Sequence, residues 1–222
     1  MSRKTRSRPD GFAARKERGA RTRTAIMQAA ERIFAEAGFG GARTEAIAAQ
    51  AGVNKALLYY YFPSKDGLYR AILEDHLKEF QRQVVDALST EGPARAKLLS
   101  YVSTHFDFIS ARPYYPRLVQ RLMMTGGKPL ERLAREFYVP VHRKLVSVID
   151  RGISDGEFRR VDSHHTVLSL VALISFYFSS APILNAISRT DPYATVHLAR
   201  RKAEVLKFIR YALFKKRKER LA

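Results

Sequence analysis

The sequence predicts an all-α protein, with a small N-terminal helix-turn-helix domain followed by a larger helical domain. Three observations predict it. Apolar residues recur at three- and four-residue spacing in one segment after another. No alternating run bounded by turn dipeptides argues for a strand. Three short helical patterns crowd into the first 62 residues, with a tight glycine turn between the second and third.

In the first pattern Ile26, Ala29, Ala30, Ile33, Phe34 and Ala37 share a face, and Gly38 ends it as a natural C′ residue. "TEAIAAQAGV" gives a short second helix, with Thr44 expected as N-cap, Glu45 in the first turn and Gly52 as its breaker. Asn54 is placed to cap a third helix, "KALLYYYF". Pro63-Ser64 restarts the chain into a fourth, with Leu68, Tyr69, Ile72, Leu73, His76, Leu77 and Phe80 on one face. The cluster "DALSTEGPA", 86–94, is the expected domain boundary. Five further helices are expected at 95–110, 116–125, 128–155, 163–186 and 191–218.

The expected organisation is therefore a flexible basic arm (1–17), the helix-turn-helix domain (18–64) and a connecting helix (65–85). A ligand-binding and dimerisation domain (86–214) and a basic tail (215–222) complete it.

Charge points to the partner. The formal net charge is +19, and residues 1–24 and 200–222 carry +7 and +8 of it. Such an excess destabilises a compact chain unless a polyanion relieves it, so nucleic acid leads the candidate partners. The most apolar run, Val167–Phe178, is too short to span a bilayer, and the basic N-terminus has no apolar segment of the signal-peptide type. A cytoplasmic protein without a membrane partner is expected. The absence of cysteine excludes a disulfide framework, a cysteine nucleophile and a cysteine-ligated metal.

The seam of the helix-turn-helix is expected to use Ile47, Ala48, Ala51, Val53, Leu57, Leu58 and Phe62. With Leu58 and Phe62 inward, Lys55, Ala56, Tyr59 and Tyr60 point outward, and Tyr61 turns toward the domain. One cation, one small residue and two phenols suit a DNA major groove. Lysine neutralises phosphate or reaches guanine, and a phenol donates to phosphate or packs on sugar. Lys65, just inside the fourth helix, adds an ammonium to unpaired N–H groups and is expected to seat a phosphate.

The segment "TEAIAAQAGVNKALLYYYFPSKDGL", Thr44 to Leu68, resembles the DNA-binding signature of the tetracycline-repressor (TetR) family of bacterial regulators. Thr, Ile-Ala, Ala-Gly-Val, Leu-Tyr, an aromatic with Phe, and Ser-Lys follow in that family's order, and the likeness covers about residues 18–75. Beyond Leu77 it is a likeness of plan only. The resemblance implies a homodimer that places its third helices in successive major grooves of a palindromic operator and is shifted by a ligand. Carried onto matching positions, it implies DNA contacts at Thr44, Lys55, Ala56, Tyr59, Tyr60 and Lys65, with Arg43 beside them. Two positions depart from the pattern: many relatives have glycine where Ala56 stands and histidine where Tyr61 stands.

The same resemblance implies a ligand cavity among the later helices. The expected lining is Phe106, Ile109, Leu122, Met123, Tyr138, His142 and Phe176, whose faces come from four helices. Dimerisation has its own sequence basis, because helix 163–186 is apolar on more than one face. Leu170, Ile174 and Phe178 form the expected stripe, with Ala199, Ala203, Leu206, Ile209 and Leu213 of the last helix beside it.

A sequence-specific repressor released by a small, largely apolar ligand is the first reading. A ligand-independent architectural or nucleoid-associated DNA binder of the same fold is the alternative. An enzyme is not expected: there is no H-E-x-x-H pair, glycine-rich phosphate loop or G-x-S-x-G elbow. No cofactor or metal site is expected either, and a metal held by His105 and His142 is the lesser alternative.

Overall fold

The computed structural model describes residues 10–215, side chains included from residue 13 onward. The expected arm (up to residue 9) and tail (from residue 216) lie outside the described residues. The helices are α1 (Asp10–Gly41), α2 (Thr44–Gln50), α3 (Lys55–Tyr61), α4 (Lys65–Ser89), α5 (Ala94–Ser110) and α6 (Tyr115–Thr125). They continue with α7 (Gly127–Leu133), α8 (Val139–Ser154), α9 (Ser163–Ser179), α10 (Ala181–Ser188) and α11 (Thr195–Leu213). The only extended pairing among the described residues is a single bridge between Phe158 and Phe214. The fold is all-α, and no helix in it is long and apolar enough to cross a membrane alone.

The chain forms two compact units that divide between Leu73 and Glu74. This division lies inside α4 rather than in the 86–94 turn. In the first unit, Ile26, Ala30, Phe34, Ile47, Ala48, Leu58, Phe62, Leu68 and Ile72 are buried from α1 to α4. α1 begins at Asp10, eight residues before the helix-turn-helix domain was expected to start, and Gly38 closes its regular part at φ 69°. In the second unit α5 packs against α8, α9 and α11.

Proline sets two breaks that periodicity alone runs through. The segment expected as one helix at 128–155 is α7, a widened π turn at Ala134–Tyr138, then α8. Pro140 has no N–H for the Glu136 carbonyl, and Gln81 Nε2 donates to that oxygen at 3.3 Å instead. The helix expected at 163–186 breaks at Ser180, where Pro182 follows in the first turn of α10 and bends the axis by 59°. The last helix begins at Thr195, four residues later than expected.

Glu157 ties the far ends of the second unit together. Pro93 stands before α5 and has no side chain to cap it, so Glu157 takes that role. Its two carboxylate oxygens accept from Ala94 N at 3.0 Å and Arg95 N at 2.9 Å. Next to it, Phe158 is fully buried and stacks on Phe214 at 5.3 Å.

Candidate functional site

Local chemistry builds the first site. The turn after α2 passes through Gly52, whose φ of 66° suits a residue without Cβ. Asn54 Oδ1 then accepts from Leu57 N at 2.7 Å and starts α3. Leu58 and Phe62 are buried, which turns Lys55, Ala56, Tyr59 and Tyr60 outward. Tyr60 is 79% exposed and Tyr59 40%. Tyr61 is half-buried beside Gly19 of α1. Leu57, expected in the seam, is exposed at the rim.

Thr44 is not the N-cap of α2. Arg43 holds that position in extended backbone and without a side-chain cap, and Thr44 opens the helix proper. Its hydroxyl lies 3.3 Å from Tyr59 Oη and 3.4 Å from Glu45 Oε2. Glu45 in turn accepts from Lys55 Nζ at 2.5 Å. That hydrogen bond holds the Glu45 carboxyl below its ordinary pKa and raises that of Lys55. Tyr59, Thr44, Glu45 and Lys55 therefore form one connected polar row. Glu45 is its least expected member, because the sequence marks it only as a first-turn acid.

Lys65 is committed elsewhere. Its ammonium donates to Phe39 O at 2.8 Å and Ala42 O at 3.0 Å and lies 4.6 Å from the Phe39 ring centre. It fastens the chain that leads into α2, so the phosphate seat expected there is not open in this conformation. Ser64 takes up the N-terminus of α4, accepting from Gly67 N at 2.9 Å.

The second site is a cavity of about 240 Å³ inside the second unit. Ile109, Met123, Tyr138 and His142 of the expected set line it, and Phe80, Tyr101, His105, Tyr115, Val119 and Val171 contribute as well. Three expected residues do not line it. Phe106 packs on Phe178 at 5.0 Å and Leu122 is buried elsewhere, while Phe176 is 71% exposed. Tyr101 and His105, one helical turn apart, share a hydrogen bond of 3.0 Å. Burial pushes the His105 pKa down to about 3 and raises that of Tyr101, so both stay neutral. Tyr115 and Tyr138 are hydrogen-bonded to each other and raised by burial too. His142 Nε2 faces His164 Nδ1 at 3.0 Å.

The expected dimer stripe is turned mainly inward, with Leu170, Ile209 and Leu213 also lining a groove between α9 and α11. Leu170, Ile174, Phe178, Ile209 and Leu213 are all buried within one chain, because they fill the core of their own subunit. The outward apolar residues include Leu168, Val171 and Phe176 of α9 and Val196, Phe208 and Tyr211 of α11, with Ala199 and Ala203 also exposed and Leu206 half-buried. Ala172, Leu173, Phe176, Phe208 and Ala212 line a groove between the two helices.

Comparison with known proteins accords with this geometry. Residues 26–72 match the family of bacterial regulatory proteins, tetR family, and residues 95–209 match the tetracyclin repressor-like C-terminal domain. The chain is 30% identical to the transcriptional repressor NicS of Pseudomonas putida over 185 residues, 80% of this chain and 85% of that one. It is 29% identical to the transcriptional regulator RutR of Escherichia coli over 165 residues, 74% and 77% of the two chains. The crystal structure of AibR in complex with isovaleryl coenzyme A and operator DNA has the same fold, with a TM-score of 0.69 at 16% identity over 84% of this chain and 97% of that one. The helix-turn-helix with its outward tyrosines and the cavity-bearing second unit thus belong to a transcriptional regulator, and the chain is a member of the TetR family.

Proposed function

We propose that this protein is a cytoplasmic repressor that binds a palindromic operator as a homodimer and is released by a small, largely apolar ligand. The observation that carries this reading is the outward row of Lys55, Ala56, Tyr59 and Tyr60 on α3, presented by a buried seam at Leu58 and Phe62. A short helix with one cation and two phenols can enter a major groove and contact both phosphate and base edges. Arg43 and Thr44 flank it at the start of α2. The cavity supports the ligand half of the reading, since it is lined mainly by apolar side chains with a few polar groups.

The homodimer rests on α9 and α11. Phe176 and Phe208 are 71% and 61% exposed on adjacent helices, and an apolar face of that kind on a soluble protein marks an interaction surface. The proposed contact uses this outer face, with Ala199 and Ala203 allowing close approach. Phe208→Glu is expected to convert the dimer to monomer at micromolar concentration, a loss of at least about 2 kcal/mol for a central aromatic. Sedimentation of the variant beside the parent reads this directly. Native mass spectrometry on a duplex that carries the selected site tests the assembly. Two chains per site support the reading, and one chain bound as tightly overturns it.

A further inference from the structure

A cavity's chemistry limits what it can hold. Among the described residues, no lysine, arginine, aspartate or glutamate lines it. Arg112 acts on Tyr115 electrostatically, but its guanidinium is committed to the Phe108 carbonyl at 3.1 Å and lies over that ring at 3.9 Å. His105 does not supply a charge to the interior. His105 is 6% exposed and kept neutral by burial. His142 directs Nε2 to His164. An ionised ligand would lose its hydration here and gain no counter-charge, which is costly.

Beside the uncharged Gln120, Ser175 and Ser179 of the lining, the buried Tyr101–His105 pair sets a polar preference. A phenol hydroxyl is the better donor and an imidazole nitrogen the better acceptor, so Tyr101 donates to Nδ1. The ring proton then sits on Nε2, the nitrogen of this lining residue that the pair leaves to a ligand. A buried N–H without an acceptor is unfavourable, so a ligand acceptor placed there is selected over a hydrocarbon of the same shape. Size adds a further limit. A volume of 240 Å³ is below the ordinary range of roughly 300–1,000 Å³ for drug-sized ligands.

On the reading that this cavity is the regulatory site, we propose that its ligand is a compact, uncharged molecule. It is apolar except for one carbonyl-type acceptor, which His105 recognises through Nε2–H. A coenzyme A thioester falls outside this class, because its phosphates would find no lysine or arginine in the lining.

Three probes of nearly one shape separate the terms: acetophenone (neutral, with an acceptor), cumene (no acceptor) and benzoate (charged). Benzoyl coenzyme A serves as the bulky anion. Calorimetric titration of the full chain is expected to show acetophenone binding at least tenfold tighter than benzoate, and no binding of the thioester. His105→Phe is expected to weaken acetophenone severalfold, to the level of cumene, while cumene is unchanged, which also reports an intact cavity. Tyr101→Phe, which frees the imidazole tautomer, is expected to lower the acetophenone preference in the same direction. Benzoate or the thioester binding as tightly as acetophenone, with Val119→Trp blocking it, overturns the ligand class and leaves the cavity reading standing. If no probe binds, or if binding is indifferent to Val119→Trp, the cavity reading itself fails.

Discussion

Gly152→Ala is expected to destabilise the second unit by about 3 kcal/mol, the upper part of the range for forcing a methyl into a packed core. A Cβ at Gly152 would lie 2.3 Å and 2.4 Å from two ring carbons of Phe158, well inside contact distance. Phe158 cannot easily retreat. It is fully buried, stacked on Phe214, and its N–H donates to the Gly152 carbonyl at 2.9 Å. The neighbouring Glu157 carboxylate caps α5, and Arg95 bridges Glu157 O and Lys215 O. Moving the ring therefore disturbs the start of α5 and the end of α11 together. Thermal unfolding should show a midpoint lower by roughly 6–12 °C for a unit of this size. An unchanged midpoint would mean that the 152–158 turn is plastic and does not fasten those helices.

The second large effect concerns DNA. Lys55→Ala is expected to weaken operator binding by about 1–3 kcal/mol, roughly 5- to 150-fold, while the fold survives. Lys55 is exposed and serves no core contact, so its loss reports on binding alone. In the free protein its ammonium is held by Glu45, and on DNA it must exchange that carboxylate for a phosphate or a base edge. Glu45→Gln is accordingly expected to act in the opposite direction, because it removes an anion from the row proposed to meet DNA and frees Lys55. The gain should be modest, within the ~1 kcal/mol typical of an exposed pair, and should shrink as salt is raised. Fluorescence anisotropy on a labelled duplex reads both variants. Parent-like binding by Lys55→Ala would place α3 in another orientation.

Where the deciding partner is a near neighbour in sequence, the residues themselves are informative. Asn54 reaches only three residues to Leu57, Gly52 needs only its own φ, and the outward set on α3 follows from the inward Leu58 and Phe62. Lys65 is different, because the carbonyls that capture it belong to Phe39 and Ala42, distant in the chain. On α9, periodicity finds apolar residues all round but does not say which stripe meets its own subunit. Leu170, Ile174 and Phe178 took the inner place and Phe176 the outer one.

Some of what the periodic reading passed over had a signal. Pro140 and Pro182 both stand inside helical patterns, and a proline there removes a bond to the residue four earlier. Tyr101 and His105 stand four apart on a helix, which places them one turn apart on the same side, where such pairs meet. No local rule, however, shows that the space beside them is left open. That depends on how α5, α6, α8 and α9 are spaced around it.

The most direct test of the central claim is selection of DNA from a random duplex library by the purified full-length protein at physiological salt. Enrichment of an inverted repeat, with half-sites about one helical turn or a multiple apart, is the predicted result, and Lys55→Ala should lose it. Retention of DNA with no enriched sequence would contradict the account. It would mean that the +19 charge, rather than Lys55, Tyr59 and Tyr60, supplies the binding.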